Sequence, residues 1–236
     1  GVTGVSQTTK IMAVKAGNAN GFFVSDWIRG LNFAKNNGAK IVNASFGGEG
    51  FSQIEKDAIA NYDGLFITAA GNSANNNDIS HFYPSDYDLP NIISVAASTQ
   101  NDTLASFSNF GTTSVDIAAP GTNIYSTFPG SLYAFSSGTS MAAPQVSGAA
   151  ALLWNYDPAL STALVKSILL AGGDAKESLN GKIATGKRLN IFNALNIFSP
   201  SGGFDQITQS TNNDGIITIN FRAKDGIAGL PITLKN

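Results

Sequence analysis

"IVNASFGGEGFSQIEKDAIANYDGLFITAAGN", residues 41–72, sets two short apolar runs on either side of one amphipathic segment. Ile41-Val42-Asn43-Ala44-Ser45 reads as a strand. Ser52 stands three residues before Glu55, the capping-box spacing in which a helix-start hydroxyl takes a first-turn N–H, and predicts a helix from there to about Tyr62. Asp63-Gly64 turns the chain, and Leu65-Phe66-Ile67-Thr68-Ala69-Ala70 is a second, wholly apolar strand. Short apolar strands separated by single helices indicate a parallel sheet covered on both faces. The fold class is therefore α/β, and ligands are expected at the carboxyl ends of the strands, near Ser45 and Gly71.

The same alternation continues outward. Upstream, Ile11 to Ala16 reads as a strand, and Ser25 reads as the cap of a helix with Val24, Trp27, Ile28, Leu31 and Ala34 on one face and Gly38 at its end. Downstream, Ile92 to Ala96 and Val115 to Ala118 are further strands. The segment from Ser140 to Trp154 is apolar nearly all round, which predicts a helix buried at the centre of the domain. Ser161 opens another helix, closed by Gly172-Gly173, and Ile191 to Ile197 forms a last short one. From Ser199 to Gly215 the composition turns to Ser, Gly, Asn, Gln and Asp, and period-two alternation follows at Ile217 to Arg222. The expected organisation is a domain over 1–198, a linker over 199–215, and the start of a β-rich, sandwich-like module over 216–236.

The chain has 236 residues, of which 43% are hydrophobic, enough for one good core. Charged residues make up 13% and the formal net charge is -2, which removes the electrostatic footprint of nucleic-acid binding. There is no cysteine, so neither a disulfide framework nor a thiolate metal site exists. No apolar run is long enough to span a bilayer, so membrane insertion is not expected either. The first residue is Gly1 and no segment has the charged start and apolar run of a signal peptide, so the sequence is expected to be a piece of a longer chain.

The segment 135–154, "FSSGTSMAAPQVSGAAALLW", presents Ser140 at the start of the buried helix. Gly138 permits a close approach, and Pro144 is expected in the first turn, where no helical hydrogen bond is lost. A serine held there lies among free N–H groups that would stabilise an anion. By itself such a serine is usually a helix cap, Asn72 a turn residue, and Ser45, Phe46, Gly47, Ala69, Ala70 and Gly71 ordinary strand ends. The lone histidine, His81, sits in the polar loop Asp78-Ile79-Ser80-His81-Phe82-Tyr83-Pro84 and reads as a surface residue.

Gly138-Thr139-Ser140-Met141-Ala142-Ala143-Pro144 closely resembles the nucleophile motif of subtilisin-like serine proteases, the subtilases. Lys10 to Lys15, Ile41 to Gly48, Thr68 to Asn72, Ala105 to Gly111 and Val115 to Gly121 are similar to further segments of that family, in the family's order. The resemblance runs from about Gly4 to Ile197 and implies a three-layer α/β fold with a mostly parallel sheet. It implies Ser140 as nucleophile and Asn72 as the side-chain donor of an oxyanion hole. Ser45, Phe46, Gly47, Ala69, Ala70, Gly71 and Thr139 would contact the substrate, with the two strand ends walling a pocket for a large uncharged side chain. The family's aspartate and histidine motifs precede the stretch that Gly4 to Lys15 resembles, so both are expected upstream of this sequence and His81 is not the base.

The resemblance further implies a secreted or cell-surface serine endopeptidase acting on polypeptides as a monomer, inactive as residues 1–236 alone. No cofactor is required for the chemistry. Its metal ligands are unknown, and there is room for a structural calcium at Asp116 with backbone oxygens near 83–87. The alternative is a non-catalytic subtilase-fold protein of the cell surface that binds peptides. A nucleotide-binding domain is disfavoured, because no glycine-rich phosphate turn joins a strand to a helix.

Overall fold

A computed structural model describes residues 2–18, 21, 23–198, 204–211, 216–223 and 232–235. Six strands form one sheet in the order β1-β2-β3-β4-β8-β7: β1 (Ile41–Ala44), β2 (Leu65–Ala69), β3 (Ile92–Ser98), β4 (Ile117–Pro120), β7 (Asp174–Ala175) and β8 (Lys187–Arg188). The first four and β8 run parallel, and only the β7–β8 pair is antiparallel.

Side chains leave successive strand positions on opposite faces, and here both faces are dry. Leu65 and Ile67 point to one side with Ile93, Val95 and Ile117, and against them lies α3 (Thr139–Tyr156) through Ala142, Val146, Ala149 and Leu153. α4 (Thr162–Gly172) and α5 (Ile191–Phe198) complete that layer. Phe66 points to the other side, onto Trp27 and Leu31 of α1 (Val24–Asn36) and Ile59 of α2 (Gln53–Ala60). Each such side chain contributes about 1.5–3 kcal/mol by burial. Two helix layers on a largely parallel sheet make the three-layer α/β fold expected from the sequence.

The start of α2 is held as its spacing predicts. Ser52 Oγ accepts the Glu55 N–H at 3.3 Å. The return half of the box passes through a third residue: the Ser52 N–H donates to the Tyr87 hydroxyl at 3.0 Å, and that hydroxyl bonds the Glu55 carboxylate. α4 is capped by Ser161 Oγ, which accepts from the Leu164 N–H at 3.2 Å.

Several expectations are corrected. Residues 11–16 form no strand, and Ile11 is 91% exposed; the segment takes no place in the sheet, and apolar alternation without a paired neighbour leaves backbone groups that cannot form a ladder. α1 begins one residue before Ser25, with Phe23 at its cap position and no capping side chain. Strand β9 (Phe204–Thr211) lies inside the stretch assigned to a linker and pairs antiparallel with β10 (Ile216–Ala223), which pairs in turn with β11 (Ile232–Lys235). Its Ile207, Thr208 and Thr211 carry β propensity that a Ser- and Gln-rich composition masks. A hairpin absent from the sequence reading, β5 (Ile124–Phe128) and β6 (Leu132–Ser136), turns through Pro129-Gly130-Ser131.

Candidate active site

The β1–β2 ladder ends at Ala44↔Thr68. Beyond it Ser45-Phe46-Gly47 and Ala69-Ala70-Gly71 continue at the carboxyl ends of the strands, and the amino terminus of α3 arrives between them. Gly47 and Gly71 are required where they stand. A Cβ on Gly47 would lie 2.4 Å from Phe82 Cε1 and 2.6 Å from the Tyr83 carbonyl oxygen. Gly71 has φ +110°, and a Cβ there would lie 2.4 Å from Asn109 Nδ2. The Phe82 ring thus backs both walls, a role the sequence reading did not give it.

Ser140 is tied to Ser45 by two bonds. Its hydroxyl donates to the Ser45 carbonyl at 3.2 Å, and the Ser45 hydroxyl donates to the Ser140 carbonyl at 2.9 Å. The second bond is a consequence of Pro144. That residue is not in the first turn as expected but deeper inside α3. Lacking an N–H, it leaves the carbonyl four residues back, that of Ser140, without a helical donor. Asn43 Nδ2 donates to Ser45 Oγ at 2.9 Å and holds it in place.

Asn72 is oriented by Thr139. The Thr139 N–H and hydroxyl both donate to Asn72 Oδ1, at 2.8 and 3.0 Å, and Thr139 Oγ1 accepts the Gly71 N–H at 3.2 Å. With its oxygen engaged, the Asn72 amide keeps its NH2 end as the donor available to a ligand. The Ser140 N–H lies in the first turn of α3, where no carbonyl within the helix is positioned to accept it. Thr139 itself is fully buried. Expected to touch substrate, it instead positions the residue that would. Ala70 is likewise fully buried, packs with Ala96, Val115 and Leu179, and gives its carbonyl to Asn77 Nδ2 at 2.9 Å.

Behind the Asn72 loop lies a network that sequence reasoning missed. Asn109, 1% exposed, accepts the N–H groups of Ser73 and Asn75 at 2.8 and 3.2 Å and donates to Asn77 Oδ1 at 2.9 Å. Asn77 Nδ2 also reaches Asp86 Oδ1 at 2.9 Å. Its sequence signal is slight: Asn109 lies within the family-like segment Ala105 to Gly111, and Asn77 follows the Thr68 to Asn72 segment.

His81 lies apart from Ser140 in this bonding pattern. Its Nδ1 stands 3.6 Å from Asp86 Oδ2, and its side chain is 55% exposed. Burial pushes the Asp86 carboxyl up to about 6, against hydrogen bonds from Phe82, Ser85 and Asn77 and the charge of His81. An unfolded aspartate titrates near 4, so between about pH 4 and 6 the folded chain holds a proton that the unfolded chain releases. Stability is therefore expected to fall as pH rises through that window and to level off above it. Asp86→Asn should flatten that part of the curve in urea denaturation, and an unchanged slope would exclude Asp86 as its source.

The fold and this end of the sheet define an α/β protein that presents a serine hydroxyl and a fixed side-chain amide at a helix amino terminus. The profile of the Subtilase family, Peptidase S8, matches residues 1–186, and the chain belongs to that family. It is 40% identical over 172 residues to Subtilisin Savinase of Lederbergia lenta, an alignment covering 72% of this chain and 62% of that protein. An alkaline protease of Shouchella clausii is also 40% identical over 172 residues, covering 72% of this chain and 44% of that one. The chain thus spans roughly half the length of these relatives. Among solved structures, a protease of Pseudoalteromonas arctica matches with a TM-score of 0.65 at 28% identity, over 76% of this chain and 60% of that one. A structure of the subtilase cytotoxin SubAB matches with a TM-score of 0.67 at 28% identity, over 75% and 66% of the two chains.

Among the described residues no helix is long and apolar enough to cross a membrane.

Proposed function

We propose that this chain supplies the nucleophile half of a secreted serine endopeptidase. The observation that carries the reading is the Thr139-anchored Asn72 amide beside the Ser140 hydroxyl at the head of α3. In the reaction Ser140 Oγ attacks a peptide carbonyl and its proton passes to an imidazole. The carbonyl oxygen, now negative, takes hydrogen bonds from Asn72 Nδ2 and the Ser140 N–H, donors fixed in advance where the charge develops. The base then returns its proton to the departing amine, and water cleaves the acyl-enzyme.

The substrate would lie as an extended strand between the two strand ends, its side chain entering between Gly47 and Gly71 toward the Phe82 ring. That apolar backing favours an uncharged residue before the scissile bond.

The base and its orienting carboxylate come, in this reading, from outside residues 1–236, since His81 is engaged with Asp86 and the Ser140 hydroxyl donates to a carbonyl. A fluorophosphonate probe tests this. The isolated chain is expected to label at Ser140 at least about 10³-fold more slowly than a chimera carrying the amino-terminal residues of Subtilisin Savinase that precede the matched region. Fast labelling of the isolated chain, abolished by His81→Ala, would sink it. A chimera that stays unreactive would favour the peptide-binding alternative.

A further inference from the structure

Asp116 stands just before β4, at the amino end of the sheet, opposite the edge that carries Ser140. Its Oδ2 accepts the Ser94 N–H at 2.8 Å. Its Oδ1 faces Lys166 Nζ of α4 at 3.7 Å, with about a fifth of each side chain exposed, 23% and 20%. The same ammonium donates to the Ile92 carbonyl at the start of β3. Asp116, Lys166 and Ile92 line a cavity of about 380 Å³ with Tyr87 and Leu89.

This is where the family resemblance leaves room for a structural calcium. A carboxylate and a strand-end carbonyl are oxygen donors of the kind calcium takes. The centre of the arrangement, however, already holds a positive charge, and a divalent ion would meet the Lys166 ammonium at contact distance. The other acidic groups at the cavity are engaged elsewhere or open to water: Asp78 binds the backbone and hydroxyls of 112–114, Asp86 binds Asn77 and Phe82, and Asp88 is exposed. Among the described residues no three acidic or histidine side chains converge as a metal site would require. The residues present do not fit calcium.

We propose that the Lys166 ammonium is the resident cation of this pocket, standing in for a divalent ion and tying α4 to the amino ends of β3 and β4 without metal. It neutralises Asp116, satisfies the Ile92 carbonyl and bridges two layers, which are the three structural tasks an ion would perform there. The proposal is independent of the peptidase reading.

Melting curves of the 1–236 chain, in chelator and in about 10 mM calcium, test it. The melting temperature of the unsubstituted chain is expected to respond to calcium no more than that of Asp116→Asn. Lys166→Met should melt about 5–10 °C lower in chelator, because a largely buried carboxylate is left without its cation. Calcium should return at least half of that loss, and the recovery should vanish in the Lys166→Met/Asp116→Asn double variant. Lys166→Arg should remain indifferent to calcium. A loss in Lys166→Met that calcium leaves untouched would overturn the stand-in role. Should Lys166→Met fail to fold, terbium decides with the unsubstituted chain. Saturable luminescence sensitised by Tyr87 and lost in Asp116→Asn overturns the proposal, and its absence supports it.

Discussion

Asn109→Ala is expected to lower stability by about 3–5 kcal/mol, the largest loss anticipated from a single substitution near the site. The Asn109 side chain satisfies two backbone donors of the 73–75 loop and one acceptor on Asn77, and both asparagines are buried. Truncation leaves the part-buried Ser73 and Asn75 N–H groups without their shared acceptor and the buried Asn77 Oδ1 without its donor. Removing half of a buried polar network costs the desolvation of every group left behind, not just the bond lost. At about 2–4 °C per kcal/mol for a domain of this size, the melting temperature should drop by about 6–20 °C. Asn109→Asp keeps the two acceptor bonds, loses the donor to Asn77 and buries a charge, so it should also destabilise the chain. A loss below about 1 kcal/mol for Asn109→Ala in denaturant titration would show that the loop finds other partners.

Asn72→Ala carries the largest expected effect on activity. In the chimera used for probe labelling, turnover of a peptide substrate should fall about 10²–10³-fold, with KM little changed. This is the value known for the oxyanion asparagine of subtilisin itself, and is not obtained from the present geometry. What the geometry adds is a second variant. Thr139→Val removes the hydroxyl bonds to Asn72 Oδ1 and from the Gly71 N–H while leaving the backbone bond at 2.8 Å. It should lower turnover by a smaller factor, about 10-fold, again with KM little changed, since it loosens the donor without deleting it. A raised KM with turnover unchanged in either variant would place the asparagine in substrate binding instead.

Much of this was legible in the sequence because the deciding signals are local. Ser52 and Ser161 cap helices through bonds three residues long, and the apolar run of β2 is buried on both faces as its composition demands. Ser140, Asn72 and the glycine-lined strand ends stand out through the family-like motifs, and the structure brings them together at the head of α3. Other features depend on partners remote in sequence. Residues 11–16 have the composition of a strand but not the neighbour. Asn109 serves a loop more than thirty positions earlier in the chain, so no window of sequence containing it reveals the task. The hairpin β5–β6 is hidden in the sequence because the only turn signal between its two short runs is Pro129-Gly130. Pro144 lies deeper than the sequence suggests because α3 opens at Thr139, and that depth shows in the bond its ring forgoes.

The reciprocal pair between Ser140 and Ser45 bears on the order of folding. Ser45 precedes Ser140 by 95 positions, and Asn72 precedes Thr139 by 67. Contacts of such span close late, after shorter loops have formed. A nascent or partly folded chain therefore carries an ordinary serine on an unsupported helix. Ser140, its wall and the Asn72 amide come together only once β1, β2 and α3 have docked, so the proposed hydrolytic centre would not precede the completion of the domain that contains it.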